Sequence, residues 1–160
     1  MPDDIRLNVV LCWHMHQPQY RDLVSGIYHL PWTYLHAVKD YTDMAAHLEA
    51  VPAARAVINF APLLLEQIED YAKQVEGFLT NSLAIRDPLL AALISPAQPP
   101  SDEERIMLIK ACVRANETRM IGRFPAYHRL AEMAVWFTAH PESQRYLSNQ
   151  YLADLLVWYH

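Results

Sequence analysis

Glycine is nearly absent. Gly26, Gly77 and Gly122 are the only three in 160 residues, and no two lie close enough to cradle a phosphate with backbone N–H groups. Gly-rich nucleotide-binding loops are therefore excluded. Cysteine is as scarce: Cys12 and Cys112 make no disulfide framework, and two free, buried thiols are expected in a reducing compartment. Charged residues make up only 19% of the chain and sum to a formal net charge of −5, which argues against nucleic acid or an anionic membrane as partner. No apolar run reaches the ~18 residues of a membrane-spanning helix. Met1-Pro2-Asp3-Asp4 is too acidic to open a secretory signal, so the expected address is cytoplasmic. Ser25, Ser82 and Ser143 all lie outside any nucleophile-elbow pattern.

What is present is a globular composition, 52% hydrophobic, in a chain long enough for one domain with a sizeable core. The organising stretch is Trp13-His14-Met15-His16-Gln17-Pro18. It follows Asn8-Val9-Val10-Leu11-Cys12, a short β-branched run that reads as a strand buried on both faces. Pro18 ends the ladder near His16. Alternation then places His14 and His16 on one face and Met15 on the other. Two imidazoles and the Gln17 carboxamide converge at the end of a buried strand, where parallel α/β folds build their sites.

Downstream, Gln19 to Leu30 is an aromatic-bearing loop. Pro31 to Ala50 reads as a helix with Tyr34, Val38, Tyr41, Ala45 and Leu48 on one face. Ala56 to Pro62 reads as a second strand closed by proline. Leu64, Ile68, Tyr71, Val75 and Phe78 then recur at helical spacing, with Glu66, Glu69 and Asp70 expected on the solvated face. Strand, helix, strand, helix is the pattern of a parallel sheet with crossover helices. After Phe78 no further strand is expected. Asp87-Pro88 opens a short helix to Ile94, and Ser95 to Pro100 is a proline-rich connector. Ser101 and Glu104 form a capping box that starts a helix to about Ala115. Pro125–Thr138 and Pro141–His160 read as two more helices. The stripe Tyr151, Leu152, Leu155, Leu156 and Tyr159 is still running at the last residue. The expected organisation is therefore the N-terminal part of one larger domain. Two βα units and a following helix occupy residues 1–94, and a helical layer occupies 101–160. Two parallel strands leave sheet edges unprotected, so these 160 residues by themselves are expected to self-associate.

Three readings of the histidine pair stand side by side. His14 and His16 can be core histidines bonded to backbone. They can be two ligands of a metal-dependent hydrolase, which needs about three protein ligands around Zn²⁺. His36, His47, His128 and His140 fall on expected helices, where convergence on the strand is not expected. They can also bind substrate, with Trp13, Tyr20, Tyr28 and Trp32 close by to stack on a sugar or simply fill the core. A non-catalytic helical domain that binds a sugar or a protein is a further alternative.

His14-Met15-His16-Gln17-Pro18 resembles the H-x-H-Q-P motif of glycoside hydrolase family 57. Pro31 to Tyr41, Asn59 to Gln67 and Asp154 to His160 are similar to further stretches of that family. The resemblance implies the N-terminal part of an incomplete (β/α)7-type barrel, a retaining mechanism without a cofactor, and α-glucan or oligosaccharide substrates. It implies substrate contact for His14, His16 and Gln17; Trp32, from the aromatic set beside them, is the stacking candidate. It also implies that the glutamate nucleophile and the aspartate acid/base come later than residue 160. Retaining cleavage needs two carboxylates about 5–5.5 Å apart, and no pair in this chain reads as that.

Overall fold

A computed structural model describes residues 9–94 and 101–160. Asn8, the acidic start Met1–Asp4 and the connector 95–100 lie outside the described residues. The chain divides into two compact units, Met1–Leu83 and Ala84–His160.

The first unit holds β1 (Leu11–Met15), α1 (Trp32–His36), a π-helical turn (Ala37–Tyr41), α2 (Thr42–Ala50), β2 (Ala56–Phe60) and α3 (Pro62–Asn81). The strands pair in parallel, Leu11 opposite Ala56 through Met15 opposite Phe60. The strand–helix order expected from the sequence is thus present, and the architecture is mixed α/β with a two-stranded parallel sheet among the described residues.

The strand itself corrects the expectation. It runs Leu11–Met15, with Val9 and Val10 outside it, and it is not buried on both faces. Val9, Val10 and Leu11 are 70%, 75% and 45% exposed, and only Met15 is buried. An apolar strand is hidden only when elements cover both faces of its sheet, and here most of the sheet is bare. Cys12 is exposed for the same reason, so of the two thiols only Cys112 is buried.

Two helical faces also differ from their periodicity. The π turn carries an i→i+5 ladder, which inserts one residue and rotates all that follows. Val38 accordingly points to solvent, 69% exposed, and α2 buries no residue. On α3 the buried positions are Leu64, Gln67, Tyr71 and Gln74, while Val75 is exposed. Two glutamines are tolerated inside because their amides are satisfied. Gln67 accepts from Tyr20 N–H and donates to the Pro18 carbonyl, both at 3.0 Å. Gln74 donates to Asp70 at 2.8 Å. Asp70, expected in solvent, is instead half-buried, accepting from Tyr28 Oη at 2.9 Å and facing Arg21 at 3.3 Å. Glu66 and Glu69 are exposed, as expected.

The second unit contains α4 (Pro88–Ile94), α5 (Asp102–Cys112), a π turn (Glu117–Ile121), α6 (Pro125–Ala139), a 3₁₀ turn (Pro141–Tyr146) and α7 (Asn149–Tyr159). Asp87 caps α4 from a buried position, accepting from Leu89 N–H at 2.9 Å and Leu90 N–H at 3.1 Å. The Ser101/Glu104 capping box forms on α5, which ends earlier than expected, at Cys112. The expected single helix over Pro141–His160 is broken. Leu147 is extended and Ser148 restarts the helix by accepting from Tyr151 N–H at 3.1 Å. All five stripe residues of α7 are buried, Leu155 and Leu156 completely. The core tyrosines keep their phenols bonded, Tyr127 to the Cys112 carbonyl and Tyr151 to the Leu130 carbonyl. Burial pushes the Cys112 thiol up to about 12, so it stays protonated and inert.

Candidate functional site

The site is built where β1 ends. His14 and His16 stack with ring centroids 6.0 Å apart and planes 13° from parallel, the same-face placement expected from alternation. Both rings are exposed. Register sets His14 opposite Asn59, and His14 Nδ1 lies 2.7 Å from Asn59 Oδ1. His16 has no hydrogen-bond partner among the described residues.

Gln17 is held from two sides. Its Nε2 donates to Tyr41 Oη at 3.2 Å, and its Oε1 accepts from Tyr20 Oη at 2.9 Å. Partial burial, and then the neighbouring Tyr41, raise the Tyr20 phenol above its ordinary range, which keeps it a donor. One N–H of the Gln17 amide and one lone pair of its carbonyl stay available to a ligand. Behind this, buried Gln67 clamps the turn at both Pro18 and Tyr20, so the loop leaving the strand is rigidly seated. Trp32 is half-buried at the first position of α1. Its ring tilts against His36 at 6.3 Å, and His36 in turn stacks on Tyr41 at 6.3 Å and pairs with Asp40. Trp32 therefore reaches the site through the chain His36–Tyr41–Gln17, with no hydrogen bond or ring contact to His14 or His16 among the described residues.

Sequence reasoning missed Asn59, Tyr41 and Gln67. Asn59 had a signal available, since a polar residue in an apolar strand at the same height as His14 is the counterpart of that histidine. Tyr41 had none, because the π turn that aims it leaves no periodic trace. No group of three or more His, Cys, Asp or Glu side chains is placed to hold a metal ion among the described residues. No carboxylate of this unit contacts His14, His16 or Gln17 among the described residues. The arrangement therefore offers imidazole and amide groups for neutral hydrogen bonding, framed by aromatic rings.

The model of glycosyl hydrolase family 57 matches residues 10–150, which is most of the chain. The chain belongs to glycosyl hydrolase family 57. That family's chemistry is glycoside hydrolysis or transfer. No curated protein and no solved structure matches it. The family-57 match includes β1, the histidine pair, Asn59 and both π turns. No helix among the described residues of this family-57 chain is long and apolar enough to cross a membrane.

Proposed function

We propose that these residues form the N-terminal segment of a retaining α-glucan hydrolase or glucanotransferase, holding part of its sugar site. His14, His16, Gln17 and Trp32 are the substrate-binding residues. The carboxylate pair is supplied from outside residues 1–160. The observation that supports this reading best is the stacked, exposed His14/His16 pair at the C-terminal end of a parallel strand in a family-57 chain. Alternation gives the sheet one apolar face, with Leu11, Trp13, Met15, Ile58 and Phe60, and one face with His14 and Asn59. In a barrel the first face packs under helices and the second lines the interior, where such sites sit.

The test is a titration of the chain with maltooligosaccharides, followed through the histidine ring resonances. Shifts at His14 and His16, saturating with sugar and lost in His16→Ala, are expected. Near-stoichiometric zinc that disappears in His16→Ala, with no response to sugar, overturns the reading in favour of a metal site.

A second proposal concerns association. Val57, Ile58 and Phe60 are 54%, 41% and 40% exposed, and the outer edges of β1 and β2 are unpaired among the described residues. Open edges and bare apolar faces recruit other copies, so these residues alone are expected to self-associate with rising concentration. Light scattering measures this. A monomer at all concentrations that unfolds in one cooperative step overturns it.

A further inference from the structure

We infer that Asn59 is a positioning residue that fixes the tautomer of His14 and so turns its outer nitrogen into a hydrogen-bond acceptor for a sugar hydroxyl. The inference rests on the carbohydrate reading for the ligand, but its first step is independent of it. Parallel pairing sets Asn59 directly across from His14, and both side chains leave the same face of the sheet. The 2.7 Å contact joins His14 Nδ1 to Asn59 Oδ1. With the amide oxygen of Asn59, an acceptor only, turned to the ring, this bond assigns the proton to His14 Nδ1. A neutral imidazole has one N–H, and the hydrogen bond at one nitrogen decides the state of the other. His14 Nε2 is then left with a bare lone pair.

A sugar hydroxyl donates to that lone pair. His16, stacked 6.0 Å away and without a hydrogen-bond partner among the described residues, keeps its own N–H free to donate. The two rings thus present one fixed acceptor and one adaptable group, a pattern that reads hydroxyls rather than charged groups. Asparagine suits this role better than aspartate. A carboxylate would also hold Nδ1–H, but it would favour the imidazolium, whose second N–H abolishes the acceptor.

Histidine-¹⁵N-labelled chain, at a pH above the histidine range, reports the tautomer directly through its ring nitrogen shifts, with His14→Ala assigning the signal. Native protein is expected to carry Nδ1–H at His14. Asn59→Leu should move the population toward Nε2–H, and Asn59→Asp should retain Nδ1–H. Maltooligosaccharide affinity should fall in Asn59→Leu by a few-fold to about tenfold, the range of one hydrogen bond. A native Nε2–H tautomer, or one unchanged in Asn59→Leu, overturns the inference. A tautomer that switches while no sugar perturbs either imidazole keeps the hold of Asn59 on His14 and overturns the carbohydrate reading instead.

Discussion

On the proposed reading, His16→Ala is expected to lower kcat of the active enzyme on the order of 10²-fold, with a smaller change in KM. The ring is exposed at the strand end and free of hydrogen bonds among the described residues, so on that reading its donor capacity is assigned to the ligand rather than to the fold. As positive charge develops on the cleaved sugar ring, hydrogen bonds to that ring's hydroxyls strengthen. Donors aimed at developing charge are worth about 10²–10³ in rate. The low end applies here because sugar hydroxyls are neutral. Gln17→Ala contrasts with it. The Gln17 amide is already shared between Tyr20 and Tyr41, so on the same reading it is assigned uniform binding, and its loss is expected to raise KM with kcat nearly kept. Steady-state kinetics on both variants, with circular dichroism to confirm folding, separate the two roles. An unchanged kcat in a well-folded His16→Ala enzyme overturns the assignment of His16.

Leu155→Ala destabilises the second unit by about 2–5 kcal/mol, the cost of a large-to-small change at a closed core position. Leu155 and Leu156 are both 0% exposed, among core residues that include Leu108, Cys112 and Tyr127. Truncating the side chain loses its transfer free energy and leaves a cavity that the tyrosines cannot fill, because their phenols are tied to the Cys112 and Leu130 carbonyls. Val157, two residues on from Leu155 and 64% exposed, is the control. Val157→Ala should shift stability by no more than about 0.5 kcal/mol. Denaturant midpoints for the three proteins decide this. Equal shifts for Leu155→Ala and Val157→Ala would show that α7 is not held by its buried stripe.

Several local features follow from the residues alone, because they depend on near neighbours in the chain. The Ser101/Glu104 box, the cap at Asp87 and the stripe of α7 need only short-range geometry, and each forms where the pattern puts it. The common face of His14 and His16 is of the same kind, since the extended backbone at the end of β1 sets residues two apart on one side. The H-x-H-Q-P stretch and its family were legible for that reason.

Tertiary structure decided what depends on partners distant in sequence. Burial of β1 was misread because apolar content states what a strand prefers, whereas cover depends on what packs against its sheet. Gln67 and Gln74 are inside because residues 18–20 and Asp70 satisfy their amides, a match that periodicity does not encode. The π turn, which swings Val38 out and Tyr41 toward Gln17, shifts a helix face by one residue without changing composition. Asn59 meets His14 only because two strands 45 residues apart adopt one parallel register. Sequence by itself determined the strand–helix order of the first unit and the chemistry at the end of β1. The register and packing of distant segments decided which side chains surround that chemistry and how each is held.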